Sequence, residues 1–418
     1  MAKTNFYAVL AAEIERIDQA KTAKRNEKVI EGFSDDPAPQ AIIGGKQYLV
    51  FNSNDYLGLR FHPKLREAER RATEKYGVGP GAVRFISGTL EVYRELEKAI
   101  SQFHGREEAM VFSSAFAANL AVIFCLIKGQ SKDSLVGGET LVISDELNHR
   151  SIIDGIRLAN LAAEQKQIFK HLQVADLRRV LAENQGKFKR VVVITDGIFS
   201  MLGEQAEVKQ LREATEAFDK KYAEGVLLIV DDSHGIAAYG QTGRGCEEAT
   251  GGRADVLIAT FGKGFGVDGG YVVADKVIID YLRESAATYI YSNSVSPGGA
   301  GAALSAVQLV DGNEGRRLLE KSRNNVRQFK QMMQARGFKF AAESSHPIQP
   351  LLIGDTQKTQ ELTQKLFAEG ILATKISYPV VPAGRDEIRV QISAAHTKKD
   401  LEYFVDKCSR AAKDLGVI

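Results

Sequence analysis

The chain has 418 residues, 44% of them apolar and 26% charged, the composition of an ordinary globular protein rather than a disordered one. Its 55 Lys and Arg against 53 Asp and Glu leave a formal net charge of +2, and no run of like charges marks a binding tail, so neither nucleic acid nor an anionic membrane is expected as a partner. The length exceeds one ordinary domain and asks for two or three units.

The first 32 residues carry acids throughout and no long apolar stretch, so they read as an amphipathic helix and not as a leader peptide. No window approaches the ~18 uninterrupted apolar residues that a membrane span needs. The three cysteines, Cys125, Cys246 and Cys408, lie far apart and form no CxxC pair. That usage points to a reducing, cytoplasmic setting and offers no metal-ligating pattern.

In the middle of the chain, "TLVISD" (140–145), "RVVVITDG" (190–197), "VLLIVDDS" (226–233), "VLIATFG" (256–262) and "GYVVAD" (270–275) are continuous apolar runs. Strands buried on both faces look like this. Helical patterns such as "VADLRRVLAENQGK" and "EVKQLREATEAFDKKYAEG" lie between several of them, which predicts an α/β fold with a mostly parallel central sheet flanked by helices. Ligands of such sheets sit beyond the carboxyl ends of the strands, where Asp145, Asp196, Asp231 and Lys263 recur. After Pro297 a long helix is predicted over roughly 298–336. Strands in "KFAAESSHPIQPLLIG", "ILATKISYPVVPAG" and "EIRVQISAAHT" then alternate with helices, as in a smaller α+β domain. The expected units are 1–60, an N-terminal helix and short strand segment; 61–300, a large α/β domain; and 301–418, a small C-terminal α+β domain.

The stretch "VLIATFGKGFGVDGGYVVAD" places Lys263 among glycines just past an apolar run. Gly264, Gly266 and Gly269 match the GxGxxG dinucleotide pattern, but that pattern must open a helix, and here it runs into a predicted strand. The P-loop pattern fails too, because glycine follows Gly262-Lys263 where Ser or Thr is required. The other chemistry is a Schiff base to pyridoxal phosphate (PLP). It needs a carboxylate to keep the pyridine nitrogen protonated, and Asp231 in "LLIVDDSHG" ends a neighbouring strand. Taken singly, Asp231 also reads as a turn cap and Lys263 as a solvated loop lysine.

Eight motifs, "FNSNDYLGL", "GAVRFISGT", "SDELNHRSIIDGIRL", "TDGIFSM", "VDDSHG", "TFGKGFG", "YSNSVSP" and "IRVQISAAHT", resemble in order and spacing those of the α-oxoamine synthases, from about Phe51 to Thr397. These PLP-dependent acyltransferases of fold type I condense an amino acid with an acyl-CoA and release carbon dioxide. "VRFISGT", "DELNHRSIIDGIRL" and "DGIFSM" look most like glycine C-acetyltransferase. The turn after the lysine is shorter, as in 8-amino-7-oxononanoate synthase and serine palmitoyltransferase. The resemblance implies Lys263 as the Schiff-base lysine and proton acceptor, Asp231 as partner of the ring nitrogen, His234 at the ring oxygen, and His149 stacked on the ring. It implies Ser200 beside the ring oxygen and Thr260 with the amides of Ala115 and Phe116 at the phosphate. Arg389 and Asn54 would hold the substrate carboxylate.

A homodimer with shared sites is implied as well, in which Ser292, and with it Ser294, reaches the partner's phosphate. Tyr93, Leu202 and Gly264 depart from the family's usual residues. Val83 stands where 5-aminolevulinate synthases use threonine near the succinyl carboxylate, which weighs against a succinyl donor. The expected reaction joins glycine to a short acyl-CoA. The alternative within the class is serine or alanine with a longer acyl thioester. An NAD-dependent dehydrogenase and a non-catalytic binding protein are the readings from other classes.

Overall fold

The computed structural model describes residues 2–20, 22–25, 27–34, 40–131, 133–378 and 380–418. Its centre is a seven-stranded sheet of β1 (Glu108–Phe112), β2 (Thr140–Asp145), β3 (Lys166–Phe169), β4 (Arg190–Asp196), β5 (Val226–Asp231), β6 (Val256–Thr260) and β7 (Gly270–Ala274), in the order β1-β7-β6-β5-β4-β2-β3. The pairings from β3 across to β6 are all parallel, whereas β7 runs antiparallel to both β6 and β1. Alternate residues of each inner strand enter two separate cores: Val191, Val193, Leu228 and Val230 on one face, Val192, Ile194 and Ile229 on the other. Covering both faces is why these strands read as unbroken apolar runs. β1 and β3 escaped the sequence reading. β3 is a four-residue edge strand with exposed positions, and β1 opens on a half-buried glutamate.

The remaining strands form two smaller sheets. Lys339–Phe340, Ile348–Leu352, Glu387–Gln391 and Thr374–Ile376 make an antiparallel one. Gly32–Phe33, Gln40–Ile43 and Lys46–Val50 form the other and end on Ile371–Leu372, which pairs parallel to Lys46–Val50. Phe51 is buried with Ile388, Val390 and Phe404. The expected unit 1–60 therefore does not stand apart: its strands share a sheet and a core with residues beyond 370.

The helix expected over 298–336 is two helices, Pro297–Asp311 and Asn313–Ala335. Gly312 between them is extended (ψ −177°). A Cβ on Gly315 would fall 2.3 Å from the Val310 carbonyl oxygen, so the junction admits no side chain there. The N-terminal helix spans Ala2–Gln19 and leaves Phe6, Tyr7, Val9, Leu10 and Ile14 exposed. Among the described residues no helix is long and apolar enough to cross a membrane.

Candidate active site

Lys263 lies in the loop of the β6–β7 hairpin. The loop is closed by Phe261 N–H to Gly269 O (3.0 Å) and Val267 N–H to Phe261 O (3.0 Å). GxGxxG thus shapes a hairpin turn into β7 and opens no helix, which removes the dinucleotide reading. Gly264, one of the departures, has a physical reason: a Cβ there would sit 2.5 Å from the Ala237 carbonyl oxygen. Tyr93 is likewise structural. It is fully buried, and its hydroxyl donates to Val295 O (2.7 Å). Leu202, half-buried in the loop after Ser200, gains no comparable explanation from its surroundings.

A cavity of about 190 Å³ opens at the carboxyl ends of β4, β5 and β6. Lys263, Asp231, His234, His149, Ser200, Thr260, Ala115 and Phe116 all line it, together with Asn119, Ser151 and Asp196. A wider hollow of about 620 Å³ beside Tyr239, Arg323 and Lys330 contains none of these groups. The chemistry belongs where the titratable side chains converge.

Asp231 ends β5, buried, its Oδ2 accepting from Asn119 Nδ2 (2.5 Å) and its Oδ1 from the Ser233 amide (3.0 Å). Asp196 is its register partner on β4 and accepts the His149 backbone N–H (2.7 Å). Burial, with Asp231 alongside, pushes the Asp196 carboxyl well above the usual range. Burial lowers the Lys263 ammonium below its usual range, against the pull of Asp231 and Asp196. A lysine so placed releases its proton more readily and becomes a better nucleophile. His149 caps the helix Arg150–Leu158, with Nδ1 2.7 Å from Ser151 Oγ; burial lowers its pKa. His234 is held by its Nδ1, 2.7 Å from the Tyr56 hydroxyl. Burial, with Lys263 and Arg389 nearby, keeps its imidazole neutral.

Arg389 stands on Glu387–Gln391, on the face opposite the core residues Ile388 and Val390. It forms no salt bridge with a described residue, and its Nε is buried without a partner; burial lowers its pKa. A half-buried guanidinium with no carboxylate partner is an anion site by its chemistry. Asn54 sits beside the same strand, 2.5 Å from the Gln391 amide. Ser292 is exposed and lies outside its own chain's cavity, while the Ser294 hydroxyl is buried without a partner.

A family model for aminotransferase class I and II matches residues 46–407. The chain belongs to this family. Within the family it is an α-oxoamine synthase, a PLP-dependent acyltransferase of fold type I. The 8-amino-7-oxononanoate synthase of Thermosipho melanesiensis is 37% identical over 417 residues, 99% of each chain. A solved structure of SPT with its PLP internal aldimine superposes with a TM-score of 0.87 at 27% identity over 99% of each chain. The serine palmitoyltransferase of Sphingomonas wittichii gives 0.87 at 25% over 98% of each.

The residues present fit PLP. Ser114 caps the helix Ala115–Ile127 by accepting from Ala117 N–H (3.1 Å), which leaves the first amides, those of Ala115 and Phe116, to an anion. Gly270 makes room for this cradle, since a Cβ there would lie 2.1 Å from the Ala115 nitrogen. Thr260 is the less direct member. Its hydroxyl already donates to Gly269 O (2.8 Å) and accepts from Gly262 N–H (3.0 Å), so a phosphate contact requires its proton to turn. Sequence reading missed Asn119, Ser151, Tyr56 and His346, the last of which donates from Nε2 to the His234 carbonyl (2.8 Å). Tyr56 and Ser151 lay inside the motifs quoted above; Asn119 and His346 carried no local signal.

Proposed function

We propose that the chain condenses a small amino acid, alanine or serine, with a longer acyl thioester to give an α-amino ketone, carbon dioxide and a free thiol. The convergence of Lys263 and Asp231 in one cavity, with the Arg389 guanidinium close enough to act on Lys263 and its Nε without a partner, is the observation that carries the amino-acid half. For the acyl half, the names of the relatives favour the alternative over glycine with a short acyl-CoA: 8-amino-7-oxononanoate ends in an amino ketone whose terminal carbons match alanine without its carboxylate.

Bound PLP supplies the electron sink for charge that develops at the amino-acid Cα. The residues do the rest. Lys263 would take the α-proton, its lowered pKa leaving the amine unprotonated and free to accept it. Arg389 and Asn54 would orient the carboxylate, and Asp231 would keep the ring nitrogen protonated. His149 would lie against the ring, with His234 and Ser200 toward its oxygen. The amides of Ala115 and Phe116 would hold the phosphate, with Thr260. A carbon–carbon bond would then form from Cα to the acyl carbonyl as the thiolate leaves, and the Cα–carboxylate bond would break, releasing carbon dioxide and leaving its electron pair at Cα to take up a proton. A thiol-release assay across glycine, alanine and serine with acyl-CoAs of increasing length tests this reading. Turnover is expected with alanine or serine and longer chains. Turnover confined to glycine with acetyl-CoA would return the reading to the short donor. The purified protein should also absorb near ~420 nm, in a band that borohydride abolishes.

The working unit on this reading is a homodimer in the cytoplasm. Three free, buried cysteines suit a reducing compartment. Val78, Phe85, Ile86 and Tyr291 stand between 62% and 81% exposed, apolar surface that a partner chain would cover. Ser292 shares this exposed stretch, as expected of a residue that serves the partner's phosphate. If Ser292→Ala is itself inactive, mixing it with inactive Lys263→Ala should restore activity, to at most half per mixed dimer, because a two-fold interface leaves one site intact. No recovery, with exchange confirmed by mass, would place both residues in one chain's site.

A further inference from the structure

Three loops meet beside the PLP cavity, and two of them carry residues that line it. One follows β2 and carries His149, one follows β3, and one follows β4 and carries Ser200. Asp145, the last residue of β2, accepts from Leu147 N–H (2.9 Å) in the first loop and from Leu172 N–H (3.0 Å) and His171 Nδ1 (2.8 Å) in the second. The other ring nitrogen of His171 reaches the third loop, 3.2 Å from Glu204 Oε2. Glu204 closes the hairpin around Ser200: its carbonyl accepts from Phe199 N–H (2.9 Å), and Ile198 pairs with Gln205. The imidazole also packs edge-on against Phe199, with ring centroids 4.3 Å apart.

We infer that His171 is a positioning residue of the PLP site, tying the turn that carries His149 to the hairpin that carries Ser200. The inference rests on the proposed roles of those two residues. Leu172 adds a second sign, since its φ of +57° lies in the left-handed region that leucine rarely adopts, and Asp145 holds its amide there. Each ring nitrogen faces a carboxylate, so only the doubly protonated imidazole gives both of them a proton. The charged groups facing the ring and its loop are Asp145, Glu204 and Glu146, the last accepting the His171 backbone N–H (3.3 Å). Burial alone would lower the imidazole, but the bonds to Asp145 and Glu204 outweigh it and raise the ring to about 9. A folded value above the ordinary 6.5 means that the tie is complete below about 6.5 and is lost as pH rises through about 9.

The test follows the rate at which diluted holoenzyme loses PLP, for the unmodified chain, His171→Ala, Glu204→Gln and the double variant. Each single change should speed release roughly tenfold, by analogy with the outer supports of metal sites. The double variant should release no faster than the worse single one, because both break one link. The ratio between the unmodified chain and Glu204→Gln should close as pH rises through about 9. Unchanged release in Glu204→Gln, which keeps the imidazole packed on Phe199, would overturn the inference even if His171→Ala failed to fold. Faster release that is additive in the double variant, or independent of pH, would also overturn it and leave a structural role only. An unmodified chain that held no PLP would be a different failure, taking down the proposed function and this inference with it.

Discussion

Lys263→Ala is expected to fold, to retain weak affinity for PLP and to have no measurable turnover. The loss has two parts. On the proposed reading the amine both holds the cofactor covalently and takes the α-proton. Burial depresses its basicity, while Asp231 and Asp196 lie close enough to pull the other way, so the amine sits in a field that no solvated loop lysine meets. The glycines around it matter because Gly264 must pass the Ala237 carbonyl and Gly266 adopts φ +71°, which fixes the loop that aims the side chain. Borohydride reduction followed by peptide mass analysis reads the first part: PLP should be fixed to the Lys263 peptide of the unmodified chain and to no peptide of the variant. Thiol release reads the second. Wild-type turnover in the variant would remove Lys263 from the chemistry altogether.

Asp231→Asn should keep PLP attached to Lys263 and lose most of its activity. An amide cannot hold a proton on the ring nitrogen, and a neutral ring draws less charge from Cα. A positioned charge partner of this kind contributes several kcal/mol to the barrier, so a fall of roughly 10²-fold or more in kcat is expected. The surroundings of Asp231 set the structural cost of the change. Asn119 donates to one carboxylate oxygen and the Ser233 amide to the other, so an asparagine keeps an acceptor for only one of them. On the proposed reading KM for the amino acid should move little, since that carboxylate is assigned to Arg389 and not to Asp231. Unchanged kcat would make Asp231 a turn cap.

The sheet could be read from the sequence because burial on both faces writes β2, β4, β5, β6 and β7 as apolar runs, with Asp145, Asp196 and Asp231 marking where β2, β4 and β5 end. Lys263 was legible for the same reason, being the first charged residue after β6. What could not be read lies in contacts between distant segments. Asn119 meets Asp231 across 112 residues, and Tyr56 meets His234 across 178. Asn119 sits in an apolar helix and His346 in a polar loop, and neither position advertises a partner. His171 stands two residues beyond a missed edge strand, so nothing near it suggested that it faces two carboxylates. Periodicity also continues across Gly312, which is why two helices looked like one.

The parallel pairing of Lys46–Val50 with Ile371–Leu372 bears on how the chain is made. During synthesis the early strand emerges long before its neighbour, which follows 322 residues later. Until then its outer edge has bare N–H and C=O groups, and Phe51 has no core to enter, since Ile388, Val390 and Phe404 do not yet exist. The large sheet can close on the ribosome, whereas the remaining body must wait for nearly the last helix. Closing so long a loop is slow in entropy terms, and the exposed edge is open to other chains meanwhile. Fusions or truncations near either terminus therefore act on one late assembly step, however far apart they lie in sequence.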